Sequence, residues 1–254
     1  MKGFSGASFG AKGSHPPFEN RQSCECGTIS VIIPTLNEEN HVLSAIRSAK
    51  QPEREDEIIV VDGGSTDNTV KLAQPHAVVL ASPRGRAVQM NTGAQHAAGD
   101  VLLFLHADSC LPPLALANLK QVMADPQIVG GTFTLKFDHP HRLLRLIACF
   151  SRFRFRYFHY GDQGIFVRRT IFEQLGGFKE ISIMEDLDFL RRLRTRGQVA
   201  LINLPITTSA RRFLANGILR HQLLNIALVI LYLFGTKPQA LLRWYEGPAD
   251  PRLA

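Results

Sequence analysis

From Thr28 onward, apolar residues gather in short runs separated by polar stretches with helical spacing. Ile29–Ile33, Ile58–Val61, Ala77–Leu80 and Val101–Leu105 are four such runs. Runs of this length, rich in β-branched residues, predict strands buried on both faces, as inside a parallel sheet. Between the first two, Glu39 to Lys50 places Val42, Ala45, Ile46 and Ala49 on one helical face. A short helix is expected from Asn68, after the turn Gly63-Gly64-Ser65-Thr66-Asp67, and another from Arg86 to Ala98. Pro34 is expected to stop the first strand. Four consecutive strand–helix units predict an α/β fold: a mostly parallel central sheet with helices on both faces.

The second half is less regular. Ile128 to Phe137 is interrupted by glycine and then strand-like, and Gly161 to Val167 reads as a loop entering a strand. Glu185 to Thr195 predicts a helix, with acids in its first turn, arginines in its last and Gly197 just beyond. Gln198–Ile202 and Ile206–Ser209 predict two short strands, followed by a long helix from Arg212 to Phe234 and a further segment from Lys237 to Tyr245. The expected organisation is a disordered tail over 1–27, a catalytic domain over 28–210 and a helical extension over 211–254, packed on the domain or at a membrane surface.

Composition is that of an ordinary globular protein, with 45% hydrophobic and 20% charged residues in 254. The formal net charge of +7 suits anionic partners: phosphorylated substrates, acidic lipids or nucleic acid. Cys24 and Cys26 lack a second pair at zinc-finger spacing, so these and Cys110 and Cys149 are expected as free thiols in a reducing cytoplasm. The longest apolar run, Leu223 to Phe234, contains Asn225 and would cover only about 18 Å as helix, too short to span a bilayer. Core packing or a dimer contact is its expected use. Peripheral membrane attachment is the alternative, because the segment from Arg142 to Tyr157 is rich in arginine and aromatic residues and has no acid.

Chemistry concentrates where strands end. Thr35-Leu36-Asn37-Glu38, Asp62 and Asp108 each follow a predicted strand, and in a parallel sheet those ends share one edge, where ligands bind. Asp108 is a hard oxygen donor, suited with a diphosphate to Mg2+ or Mn2+. If the chain stays extended, His106 shares its face and is a second donor or a supporting group; otherwise Asp108 caps a following helix. Asp62, before Gly63 and Gly64, suits hydrogen bonds from a ribose or base, although a plain turn explains it equally well. Glu185 and Asp186 stand at a helix start, where the dipole favours the ionised carboxylate that a general base requires. Neither a dinucleotide-binding glycine fingerprint nor a P-loop is present.

These stretches together resemble family 2 glycosyltransferases. The likeness rests on Ser30-Val31-Ile32-Ile33-Pro34-Thr35-Leu36-Asn37-Glu38-Glu39, Val60-Val61-Asp62-Gly63-Gly64-Ser65-Thr66-Asp67, Gly85-Arg86-Ala87 through Asn91 and Gly93, Phe104-Leu105-His106-Ala107-Asp108, and Gly176-Gly177-Phe178 through Glu185-Asp186-Leu187-Asp188. The resemblance implies a GT-A-like fold and inverting, metal-dependent transfer of a sugar from a nucleotide-sugar donor to a hydroxyl of a small-molecule or lipid acceptor. It implies that Thr35, Glu38, Asp62 and Arg86 surround the nucleotide, that Asp108 holds the metal, that Asp186 is the base, and that Gly164 and Gly177 lie towards the acceptor. His106 departs from the family, which usually carries a carboxylate there. Thr208 to Phe213 and Gly235 to Pro238 are similar to a bacterial subgroup associated with arsenosugar biosynthesis. Arg211 and Arg212 are candidates for neutralising the leaving diphosphate, against a reading as solvated surface arginines.

Two further readings compete. A sugar nucleotidylyltransferase should show a Gly-rich basic loop after the first strand, where this chain has Pro34 to Glu38. A non-catalytic nucleotide-binding module is suggested by His106. Nucleic-acid binding lacks a framing motif, although arginines interleave with aromatics between 142 and 156.

Overall fold

The computed structural model describes residues 27–50, 56–150 and 163–246. The expected tail, the Cys24–Cys26 pair, Arg152, Arg154 and Arg156, and the Gly161–Asp162 loop lie outside the described residues. One eight-stranded sheet organises the chain. β1 (Ile29–Thr35), β2 (Glu57–Asp62), β3 (Val78–Ala81) and β4 (Val101–Phe104) are parallel, in spatial order β3-β2-β1-β4. Then come β7 (Ile165–Arg168), antiparallel to both neighbours, β6 (Ile128–Phe137), β8 (Gln198–Thr208) and the two-residue β5 (Ser109–Cys110).

Alternate residues of the strands feed two cores. Val31, Ile33, Val60 and Leu103 pack with α1 (Val42–Ala49) and α4 (Ala115–Met123) on one face. Ile32, Ile59, Val61, Leu102 and Phe104 pack with α3 (Arg86–His96), α6 (Arg169–Gln174) and α7 (Glu185–Leu193) on the other. Every residue of β1 is buried, as a strand covered on both faces requires. The mostly parallel sheet with helices on both faces is therefore as expected, and α1 buries the four residues that its spacing picked out. α2 (Thr69–Ala73) is the short helix after the glycine turn.

Several boundaries differ, each for a physical reason. Pro34 lies inside β1 and does not end it. The Ile32 carbonyl accepts from Leu105 on the β4 side, and the Thr35 carbonyl accepts from Gly63 on the β2 side. Pro34, in phase with Ile32, thus faces the side where β4 has already ended, so its missing N–H breaks no ladder bond. The two short strands expected between Gln198 and Ser209 are one strand, kept continuous by a register shift opposite Phe133 and Thr134. The helix expected from Arg212 to Phe234 is broken at Gly217 (φ 79°) into α8 (Arg211–Asn216) and α9 (Ile218–Leu233), with α10 (Pro238–Glu246) after it.

α8 joins α5 (Arg142–Phe150) in a small core of Leu144, Ala210 and Phe213, while α9 and α10 pack on Ile183 through Leu228 and Leu241. Among the described residues no helix is long and apolar enough to cross a membrane.

Candidate active site

The carboxyl ends of β1, β2 and β4 meet at one edge, and two loops there are tied together. Asn37 (φ 53°) accepts from the Thr66 N–H at 2.8 Å, and the Asn37 N–H donates to Ser65 Oγ at 2.9 Å. The Glu38 N–H donates to Thr69 Oγ1, and the Glu39 N–H to Asp67 Oδ2. These bonds hold residues 36–41 as a turn, which is why α1 starts at Val42 and not at Glu39. Asp62, 7% exposed, accepts from the Gly64 and Ser65 N–H groups and from Ser65 Oγ. Its turn therefore satisfies it locally. Thr35 is likewise buried, with Oγ1 donating to the Val61 carbonyl, and Gln89 of α3 bridges the Thr35 and Val61 carbonyls at 2.7 and 2.8 Å.

Beyond β4 the chain turns at once. The Ser109 N–H donates to the His106 carbonyl at 3.0 Å, so extension does not persist through Asp108 and the shared-face argument for His106 and Asp108 does not apply. Asp108 is not a helix cap either, since α4 begins seven residues later, behind Leu114. Instead β5 pairs antiparallel with the end of β8, Ser109 opposite Thr208, and this carries Arg211 back over the β4 edge. Arg211 Nη2 lies 3.2 Å from Asp108 Oδ2, and the same guanidinium makes a two-pronged pair with Glu38. Both carboxylates hold the Arg211 pKa above its ordinary value despite partial burial. Arg212 points elsewhere, donating to the Tyr245 hydroxyl and stacking on its ring at 5.5 Å.

A second arginine closes the other side. Arg86, the first residue of α3, lies 3.0 Å from Glu185 Oε1 and 3.5 Å from Asp186 Oδ2. These acids open α7 behind Met184, whose φ of 68° is unusual for a side chain of that size. Glu185 is pushed up to about 7, chiefly by burial and then by the neighbouring Asp186 charge, against the pull of Arg86 and of His106, which is within electrostatic reach. Asp186 Oδ1 is buried and accepts no hydrogen bond among the described residues.

An aromatic block fixes these pieces relative to one another. Phe104, at the end of β4, meets Phe178 edge-on at 4.8 Å, and Phe178 meets Phe189 of α7 at 4.5 Å. Gly177 (φ 70°) leads into Phe178, and a Cβ there would come within 2.7 Å of Asn91 Oδ1. Asn91 uses that oxygen and its Nδ2 to clamp both backbone groups of Phe178 at 2.9 Å. Gly164 (φ 62°) is needed at the core end of β7, where a Cβ would approach Ile206 Cδ1 to 2.6 Å. The structure thus gathers Glu38, Asp108 and Arg211 in one cluster and Arg86, Glu185 and Asp186 in another, with His106 on the side of Glu185.

Sequence reasoning missed the ion pairs made by Arg86 and Arg211, and it missed Gln89; it singled out Glu185 beside Asp186 but not its burial against Arg86. Gln89 and Asn91 lay within a motif already recognised, so their polarity on a buried helix face was the available signal. No local pattern announces that Arg211 returns to Asp108.

Among the described residues, no three His, Cys, Asp or Glu side chains gather as a site that could hold a metal unaided. A single partly exposed carboxylate fits Mg2+ or Mn2+ only where phosphate oxygens and water complete the shell.

This is an α/β sheet with polar strand ends converging on a ligand edge, and comparison with known proteins gives it a family. Residues 30–176 match the profile described as Glycosyl transferase family 2. The chain belongs to that family. It is 32% identical over 117 residues to an undecaprenyl-phosphate 4-deoxy-4-formamido-L-arabinose transferase of Proteus mirabilis, covering 41% of this chain and 36% of that protein. It is 29% identical over 183 residues to a PGL/p-HBAD biosynthesis glycosyltransferase of Mycobacterium bovis, covering 63% of this chain and 67% of the relative. The fold is that of a Pyrobaculum calidifontis mannosyltransferase solved with GDP-Man and Mn2+, with a TM-score of 0.60 at 21% identity, over 89% of this chain and 67% of the other. The chain spans about a third of the length of the first curated relatives it matches.

Proposed function

We propose that the chain transfers a sugar from a nucleotide-sugar donor to an acceptor hydroxyl, inverting the anomeric centre in one displacement. The observation that carries this reading is Asp186 Oδ1, a buried carboxylate oxygen that accepts no hydrogen bond among the described residues, at the first turn of a helix and tied through Arg86 to the loop after β3. A carboxylate at a helix start, facing the positive end of the dipole, is the kind of group that serves as a general base. As the acceptor oxygen bonds to the anomeric carbon, its proton passes to Asp186 and the bond to the diphosphate breaks. One base suffices; paired carboxylates flanking the bond belong to hydrolysis.

Arg211 stands where negative charge develops on the leaving diphosphate, and Asp108 would hold Mg2+ or Mn2+ with the donor phosphates. A bound divalent ion supplies Lewis-acid neutralisation of that charge. Glu38 and the Asp62 turn form the wall for the nucleoside with Thr35 buried behind them, Arg86 closes it, His106 supports the Asp108 loop through its carbonyl, and Gly164 and Gly177 allow the close packing behind the acceptor side. Arg212, engaged with Tyr245, serves the helical extension over 211–254 in this reading.

The test is product analysis with Asp186→Asn. Transfer should be lost while donor binding, followed by calorimetry, is retained; full transfer by this variant would remove Asp186 as base. Pyrophosphate release, in place of nucleoside diphosphate, would replace the reading with a nucleotidylyltransferase. Nucleotide binding without turnover would leave a binding module. A second reading of the acceptor, a lipid phosphate, draws on the name of the Proteus relative. A phosphate oxygen is already ionised at neutral pH, so transfer to it would survive Asp186→Asn.

A further inference from the structure

The C-terminal helices leave one apolar stripe uncovered. The inner face of α9, with Leu224, Leu228, Leu231 and Tyr232, packs against Ile183, Met184 and Leu241. At 100° per residue, Leu219, Leu223, Ile230, Leu233 and the following Phe234 fall within an arc of roughly 100°, along about 22 Å of helix. All five are exposed, Leu223 at 67% and Phe234 at 86%. Single surface leucines need no explanation, but a continuous stripe marks an interaction face. α5, joined to the start of α9 through Leu144, Ile147, Phe213 and Ile218, adds exposed Leu146 and Phe150 beside Arg142 and Arg145.

Charge selects the occupant. From Arg211 to Tyr245 the sequence has no Asp or Glu, and neither does the stretch from His139 to Phe150. A second copy seated on this face would set two basic, acid-free stretches against each other. An anionic lipid surface complements both the apolar stripe and the cations. α9 has 16 residues, about 24 Å of helix against a hydrocarbon core of about 30 Å, and therefore lies in the interface without spanning it. We propose that the outward face of α9, flanked by α5, docks the protein on an anionic bilayer surface. Because the inner face of α9 rests on Ile183 and Met184, docking sets the first turn of α7, with Asp186, about one helix diameter from the lipid.

This surface needs neither donor nor metal, so its test is independent of transfer. Full-length protein is floated with phosphatidylglycerol-containing vesicles and with phosphatidylcholine vesicles. Wild type should float with the former, less at high salt, and Leu223→Glu/Ile230→Glu should lose about tenfold or more of that partitioning while keeping its melting temperature and its nucleotide affinity. In a Trp244→Phe background, where the chain's single tryptophan is removed, Leu223→Trp should shift its emission to the blue on the anionic vesicles. The proposal is overturned if the double variant floats like wild type or if the Leu223→Trp emission ignores vesicles. It is equally overturned if sedimentation shows a wild-type dimer that the double variant converts to monomer.

Discussion

The strand-end block and the C-terminal helices contain similar amounts of aliphatic sequence and use it in opposite ways. In β1 all seven residues are buried, and the polar groups at its end are held by neighbouring loops. In α9 only His221, Leu228 and Val229 are buried among 16 residues, and much of the apolar surface faces outward. A two-sided sheet satisfies its backbone and hides its side chains at once. An edge helix packed on one side cannot. The first region holds its polar groups in fixed places, and the second leaves apolar surface for the contact proposed above.

The contrast would break most visibly in the aromatic block. Phe178→Ala should cost about 3–5 kcal/mol in urea unfolding, because it opens a cavity among Phe104, Phe172 and Phe189. Leu223→Ala in α9 should stay within about 0.5 kcal/mol. Equal losses would erase the distinction. Glycines sharpen it further. Gly93→Ala places a Cβ 2.4 Å from Ile32 Cγ2, where both helix and strand are packed, and should cost about 1–3 kcal/mol. Gly235→Ala meets no atom within 4 Å and pays only for its positive φ, about 1–2 kcal/mol.

The same contrast explains what the sequence made legible. Ile29–Ile33, Ile58–Val61 and Val101–Leu105 announce two-sided burial by composition alone, and the parallel sheet with its ligand edge follows from them. Asp108 and Asp186 stand out because each sits where a periodic element begins or ends. The Arg211–Asp108 pair was illegible, since β5 is two residues long and only the tertiary pairing of Ser109 with Thr208 returns α8 to that edge. Gly217 also misled: a lone glycine inside an apolar helical pattern does not reveal that its φ will be positive.

A smaller effect, in pH dependence, separates Glu185 from the ordinary acids of the surface. Its carboxyl ionises near 4.5 in the unfolded chain and at about 7 in the folded one, because burial disfavours the charge. The folded chain holds the proton more tightly, so this stabilisation is fully present below 4.5 and is lost as pH rises to about 7. Melting temperatures of Glu185→Gln and wild type should therefore converge at low pH, and the variant should gain relative to wild type between pH 5 and 8. A constant difference across that range would contradict the raised pKa. The smallest expected effect concerns Arg211→Lys, which keeps the charge but loses the two-pronged pair with Glu38. It should weaken nucleoside diphosphate binding several-fold, by calorimetry, with stability nearly unchanged.

The proposed nucleotide site is the edge carrying Glu38, Asp62 and Asp108, with Arg86 and its acid partners on the other side, completed by a divalent ion. Thermal shift with UDP and GDP, each with and without Mn2+, tests it directly. Ligand that binds only the native state raises the melting temperature. At least one nucleotide should stabilise wild type more with Mn2+ than without, and Asp108→Ala should abolish the Mn2+ increment. No stabilisation by either nucleotide, or an Mn2+ increment that survives Asp108→Ala, would contradict the account.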